Sequence, residues 1–233
     1  MTGKIIQCSL FLLMLVGIVG GTSSAAQAVE DIPALAGRYE SSVTTRGSRP
    51  EKQASEWFLW REPYRIEVLD SPSARGEVWQ LGKDGDITHF KVYHKEKRVI
   101  EYTPGDLRML YREPEWHRLT RVVDADRLKS RLKRSGEANA LGRSVRRYKG
   151  RVDGIDYEMW WIEREQIPAM VRQVYPDRTV TLSLKEPYPL SESPWPHGKE
   201  SDYQHIDYAD IGDKESDPFL KPLLHEDEHI HSH

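Results

Sequence analysis

Four of the nine histidines crowd the last nine residues, His225-Glu-Asp-Glu-His229-Ile-His231-Ser-His233. In an extended chain His229, His231 and His233 point to one side. Neutral imidazole is a ligand for Zn, Cu or Ni. A divalent metal held at His225, His229, His231 and His233 is therefore one expectation, and a solvated chain end is the other. The acidic run from Asp207 to Asp217 lacks the D-x-D-x-D-G spacing of a calcium loop. It reads as a solvated linker, or as a negative segment folding back on the basic helix. Catalytic patterns are missing: there is no G-x-S-x-G, no H-E-x-x-H and no glycine-rich phosphate loop. His89, His94 and His117 are scattered, with no patterned nucleophile beside them. His89 and Lys91 share a strand face, read here as a solvent side. The chain is expected not to be an enzyme and to need no cofactor beyond that metal.

The third chemistry-bearing set is aromatic. Seven Trp and eleven Tyr supply large apolar area, each ring with a polar edge. Such residues form either an ordinary β-core or the wall of a ligand cavity.

The 233 residues are 38% hydrophobic and 30% charged. That is too polar for a multi-span membrane protein and too apolar for a disordered one. Lys4, the apolar stretch Leu10–Val19 and the ending Ala26-Gln27-Ala28 describe a secretory signal peptide, residues 1–28, cleaved after Ala28. The apolar stretch is shorter than the roughly 20 residues of a bilayer span. The single cysteine, Cys8, falls inside the signal, so the exported chain carries no disulfide, Cys-zinc site or Cys nucleophile. A periplasmic location is expected.

Charge divides the remainder. Residues 30–199 hold 31 Lys+Arg against 27 Asp+Glu, whereas 200–233 hold 2 against 10. The prolines at 187, 189, 194 and 196 mark the border. The expected organisation is a domain over 29–187, followed over 188–233 by a proline-rich exit and an acidic, His-ended tail. So small a positive excess is too weak to argue for nucleic acid, and none is expected as a partner.

The elements that position these residues are mostly strands. Glu56–Trp60 and Tyr64–Leu69 flank Pro63. Glu77–Leu81 and Ile87–Tyr93 flank Asp84-Gly85, a hairpin signal, and Arg98–Tyr102 follows a second turn at residues 95–97. Thr103-Pro104-Gly105 closes this run. Trp116, Leu119, Val122, Val123, Leu128 and Leu132 then take helical spacing. Asp124 caps a helix over 125–134 with a basic face of Arg127, Lys129, Arg131, Lys133 and Arg134, and Gly136 lies past its end. That face could meet anionic headgroups or an acidic partner, or simply solvent. Strands resume after Gly142, with the Asp153-Gly154 hairpin and the clean alternation of Thr179–Lys185. The fold class is mainly β (α+β): an antiparallel meander of about ten strands curled into an open half-barrel, with a mid-chain helical plug or lid.

Several segments carry a likeness. They are Trp60-Arg-Glu-Pro-Tyr-Arg65-Ile-Glu67, Gly76-Glu-Val-Trp79 with its Asp-Gly hairpin, Leu119-x-x-Val122-Val123-Asp124, and Ile167-Pro-Ala-Met-Val171…Arg178-Thr-Val-Thr-Leu182. Their order resembles the LolA/LolB-like periplasmic lipoprotein-carrier superfamily. That superfamily includes the carrier of outer-membrane lipoproteins, its acceptor, and the sensor domain of envelope-stress regulators. The resemblance implies a half-barrel covered by helices around an aromatic cavity for acyl chains. It implies that Trp57, Phe58, Trp60, Tyr64, Ile66, Trp79 and Phe90 lie on or near that cavity, although period two turns only about half of them inward. It places Arg65 where carriers set a polar residue that ties the lid shut. The acceptor's N-terminal lipidated cysteine is absent, and the tail after 187 has no counterpart. The function so implied is a non-catalytic periplasmic protein binding an acyl chain or lipoprotein lipid, for transfer towards the outer membrane by way of an inner- or outer-membrane protein partner. The alternatives are an envelope sensor or interaction module of the same fold, and a metal-handling protein using the His-rich end.

Overall fold

The computed structural model describes residues 32–47, 49–196, 198, 200–214, 216–221 and 223. The expected signal segment and the four C-terminal histidines lie outside the described residues. The first meander holds β1 (Leu35–Thr45), β2 (Lys52–Arg61), β3 (Arg65–Asp70), β4 (Arg75–Leu81), β5 (Ile87–Tyr93) and β6 (Arg98–Tyr102). Three short helices follow: α1 (Pro104–Met109), α2 (Trp116–Thr120) and α3 (Ala125–Arg131). The second meander holds β7 (Lys133–Ala140), β8 (Arg143–Val152), β9 (Ile155–Ile162), β10 (Ile167–Val174) and β11 (Arg178–Pro189). A last strand, β12 (Gln204–Asp207), lies in the tail.

All twelve form one open sheet, in the order β12-β6-β5-β4-β3-β2-β1-β11-β10-β9-β8-β7. β1 is the joint between the two meanders. It pairs with β2 from Leu35 to Thr44 and with β11 from Leu35 to Thr45. On the outer face Arg38 spans both seams, binding Glu56 of β2 and Glu186 of β11. The β8–β9 turn is a two-residue reversal with Asp153 at φ 51° and Gly154 at φ 82°, the hand that matches strand twist.

The helices connect β6, near one margin of the sheet, to β7 at the other, and so cross the concave side. Leu107, Trp116, Leu119, Val123, Ala125 and Leu132 share one buried cluster with Tyr39, Trp57, Met159, Trp161, Leu182 and Leu184 of the sheet. The expected architecture, an open β-meander with a mid-chain helical cover, is the one observed.

Three details differ. Thr103-Pro104-Gly105 does more than end a strand. The Thr103 hydroxyl accepts from the Asp106 amide, and the Asp106 carboxylate accepts from the Thr103 amide at 2.8 Å, with Pro104 in the first turn of α1. This capping box starts a helix absent from the sequence reading. The helix capped by Asp124 ends at Arg131, three residues early, because Leu132 turns extended (φ −96°, ψ 149°) and the chain pairs as β7. Gly136 sits at a bulge in that strand, not past a helix end. Lys133 and Arg134 therefore belong to β7, while Arg127 and Arg131 both bind Asp153 at 3.0 Å. Finally, the described residues of the tail pack on the sheet, and among them none folds back on the basic helix.

Replacing Thr103 with Ala removes the cap acceptor of α1. The unfolding free energy is expected to fall by about 1 kcal/mol, read from the urea midpoint at unchanged slope.

Candidate site on the inner face

Alternation along each strand sorts side chains between two faces. On β2, Trp57, Leu59 and Arg61 turn inward, while Phe58 and Trp60 turn outward. On β3, Ile66 and Val68 turn inward and Arg65 and Glu67 outward. On β4, Glu77 and Trp79 turn inward, and on β5 His89, Lys91 and Tyr93 turn inward and Phe90 outward. Cross-strand registers agree: Tyr39 faces Trp57, Ile66 faces Trp79, and Trp79 faces His89.

Of the eight residues expected at a cavity, the structure brings Trp57, Ile66 and Trp79 to the inner face. Trp57 stacks on Tyr39 at 4.4 Å and donates to the Ser41 hydroxyl at 3.0 Å. Ile66 is 2% exposed and packs in the main core. Phe58, Trp60, Arg65 and Phe90 lie on the outer face. There Trp60 donates to Ser193 Oγ at 3.3 Å and Phe58 packs on Trp195 at 5.0 Å. Phe90 packs with Val78, Val92, Val99 and Tyr203 in a small second cluster. Tyr64 stands exposed on the β2–β3 turn.

The residue that fastens the helical cover is Arg61, not Arg65. Arg61 is 1% exposed. Its guanidinium donates to the carbonyls of Thr120 at 2.8 Å, Pro33 at 2.9 Å and Glu165 at 2.7 Å. These belong to the end of α2, the entry to β1 and the β9–β10 turn, three segments remote in sequence. The planar fork of five donors suits this divergent set. Thr120 lies at the C-terminal end of α2, whose last carbonyls lack intrahelical partners and face a cation favourably. Burial pulls the Arg61 pKa down to about 10, against the pull of Tyr39 and Glu165 that raises it. The side chain stays charged at neutral pH. Trp116 adds a second tie, its indole N–H donating to the Pro63 carbonyl at 3.2 Å. Nearby, the Tyr39 hydroxyl donates to the Pro168 carbonyl at 3.2 Å, and burial raises its pKa. Arg65 instead opens β3 with its side chain outward, bound to Glu67 and to Glu200 of the tail. The signal for Arg61 was present as the alternation Trp57-x-Leu59-x-Arg61.

A second inner feature was read the wrong way round. The strand face of His89 and Lys91 is interior, and His89 is 5% exposed. Alternation says which residues share a face; it does not say which face is wet. His89 stacks on Trp79 at 3.6 Å and on Tyr102 at 5.3 Å, and Tyr102 stacks on Tyr208 of the tail at 4.6 Å. Four rings thus form a ladder across β4, β5, β6 and the tail. Glu77 Oε2 faces His89 Nε2 at 3.6 Å. Burial holds the His89 pKa below its ordinary value, against the opposing pull of Glu77, so the ring is neutral at pH 7. The Glu77 pKa is lowered: bonding and attraction to His89, with Lys91 and Trp79 behind it, outweigh the burial that would raise it.

The expected metal ligands His225, His229, His231 and His233 lie outside the described residues. Among the described residues no group of three or more His, Cys, Asp or Glu side chains could hold a metal ion. No helix among them is long and apolar enough to cross a membrane.

Several solved structures resemble the chain at low TM-scores. A LolA superfamily protein from Nitrosomonas europaea is 8% identical at a TM-score of 0.30, over 73% of this chain and 91% of that one. A putative outer membrane lipoprotein-sorting protein domain from Vibrio parahaemolyticus is 7% identical at 0.29, over 73% and 90%. The MucA/MucB complex of Pseudomonas aeruginosa gives 11% and 0.43, over 82% of this chain and 58% of that one. PNGF-II gives 8% and 0.37, over 76% and 32%. The chain thus spans about a third of PNGF-II and less than three-fifths of the matched chain of the MucA/MucB complex. No protein-family model and no curated protein matches the sequence.

Two outcomes are expected from this geometry. Arg61→Leu leaves the buried carbonyls of Thr120 and Glu165 without their donor, each such loss costing about 1–3 kcal/mol, so a stability loss of at least about 2 kcal/mol is expected in urea unfolding. His89 takes up its proton at lower pH folded than unfolded. Its contribution is whole above the ordinary His value of about 6.5 and is lost as pH falls below it. Melting temperatures measured between pH 7.5 and 5.5 should drop for the wild type and drop less for His89→Phe. Glu77, with its lowered value, adds a loss only at lower pH.

Proposed function

We propose that the chain is an exported, non-catalytic binding protein of the periplasm, holding an acyl chain or lipoprotein lipid against the inner face of the half-barrel. The observation that supports this reading most directly is the fastening of the cover. Three short helices lie over an aromatic, concave sheet, and one buried cation ties them to two other segments. The other ties are the Trp116–Pro63 bond and half-exposed ion pairs such as those of Arg127 and Arg131 with Asp153, so the cover can leave as a unit.

The energies are matched. Leu107, Trp116, Leu119 and Val123 of the cover are buried against the sheet. At about 1.5–3 kcal/mol each they contribute about 6–12 kcal/mol of burial. An acyl chain with about twelve buried methylenes contributes about 10 kcal/mol at about 0.8 kcal/mol each. A ligand taking the place of the cover's side chains on Trp57, Ile66 and Trp79 would thus offset most of their loss. Exchange would need no chemical step, only a partner at a membrane that receives or delivers the lipid.

The full chain, exported to a host periplasm and purified without a His-affinity step, should carry extractable mass in the acyl-chain range by native mass spectrometry. After lipid extraction it should take up a fluorescent fatty acid in a one-to-one ratio. A bare protein that also takes up no fluorescent fatty acid would contradict the proposal.

A further inference from the structure

The tail after β11 behaves as a bound ligand of the sheet. It begins on the outer face, where Ser193 accepts from Trp60 and Trp195 packs between Phe58 and Tyr188. Gly198 lies against the His94 ring so closely that a Cβ there would sit 2.6 Å from Cε1. Glu200 binds Arg65, and the Tyr203 hydroxyl meets His94 Nδ1 at 3.0 Å. Gln204–Asp207 then adds to the β6 edge as a parallel strand. Past that edge the chain turns to the inner face. Tyr208 stacks on Tyr102, Phe219 packs on Tyr93 at 4.9 Å and Arg98 binds Asp217. Ile211 and Leu220 are buried in the main core.

These are the parts of peptide recognition by strand addition: a sheet edge that supplies main-chain hydrogen bonds, and side-chain pockets on both sides. The receiving surface carries Arg65, Lys91 and Arg98, with Glu67, Glu77 and Glu101 beside them. Residues 200–221 carry seven Asp or Glu against two Lys. Lys91 Nζ lies 5.1 Å from the Tyr102 ring centre, and the Arg98 guanidinium lies 4.8 Å from that of Phe219. The join is also the weakest in the sheet. β12 pairs over four residues, in the less favourable parallel sense, where β1 and β11 pair over eleven.

We infer that the β6 edge with its flanking rings and arginines is a docking surface for an extended, acidic, aromatic-bearing segment of a partner protein, and that residues 193–220 occupy it in cis until such a segment displaces them. Displacement also removes Tyr208 from the ladder that runs through Tyr102 and His89 to Trp79, a place that a ring of the docked segment then takes. The surface exists whether or not the inner face takes an apolar ligand.

The test uses a fluorescent peptide of residues 193–221 and the full chain. Gly198→Val pushes the tail off His94. The peptide should bind this variant at least tenfold more tightly than the wild type, and adding Arg98→Glu should reverse the gain. A scrambled peptide of the same composition should not bind. Equal binding of true and scrambled peptides, or no binding to a variant that circular dichroism shows to be folded, would overturn the inference. Hydrogen exchange on the wild type gives a second readout that needs no variant. The Gln204–Asp207 amides should exchange at least tenfold faster than those of β1 paired to β11, by local opening. Exchange of the tail only with global unfolding would overturn the inference, as would concentration-dependent dimers with the tail swapped between copies.

Discussion

A buried guanidinium holds this molecule in its closed form. Arg61 sits where the entry to β1, the end of α2 and the β9–β10 turn converge, and it satisfies a carbonyl from each. A cation in an apolar interior is costly unless it finds acceptors, and Nη1 and Nη2 of Arg61 find three while the buried Nε finds none. The position therefore imposes a condition on the fold. The three segments must meet at this depth together. Hydrophobic burial supplies most of the attraction between cover and sheet. Arg61 makes it specific.

The two faces of the sheet do different work from one alternating pattern. The inner face carries the main core and the ladder of Trp79, His89, Tyr102 and Tyr208. The outer face of an open sheet would ordinarily meet water, yet here Phe58, Trp60, Arg65 and Phe90 form a track for the tail. Aromatic residues on both faces of β2 thus have two explanations. The tail is the one segment that touches both faces, and it does so by rounding the β6 edge that it covers.

Much of this was legible in the sequence. The meander, the hairpins at Asp84-Gly85 and Asp153-Gly154, the Asp124 cap and the mid-chain helical cover follow from period and turn chemistry. β7 escaped because in Lys133–Ala140 only Gly136, Ala138 and Ala140 alternate with polar residues, a weak apolar signal, and the strand owes its state to pairing with β8. β12 escaped because Gln204–Asp207, with Ile206 its one apolar residue, has no strand signal of its own; the β6 edge supplies it. The inner site was half legible. Period two grouped Trp57 with Leu59 and Arg61, and His89 with Lys91, but the buried side is decided by what covers each face. The solvent reading of His89 fails for that reason, and the lid role of Arg65 rests on the resemblance and not on the strand period.

Amide hydrogen exchange across the whole chain tests the central claim most directly. If the cover is a separate unit latched by Arg61, residues 104–131 of the wild type open together at lower free energy than β1 and β11. In Arg61→Leu they should exchange at least tenfold faster than in the wild type and still ahead of β1 and β11. Exchange of the cover and of β1 and β11 at one common free energy in the wild type would mean that Arg61 supports the fold as a whole and that no separable cover exists.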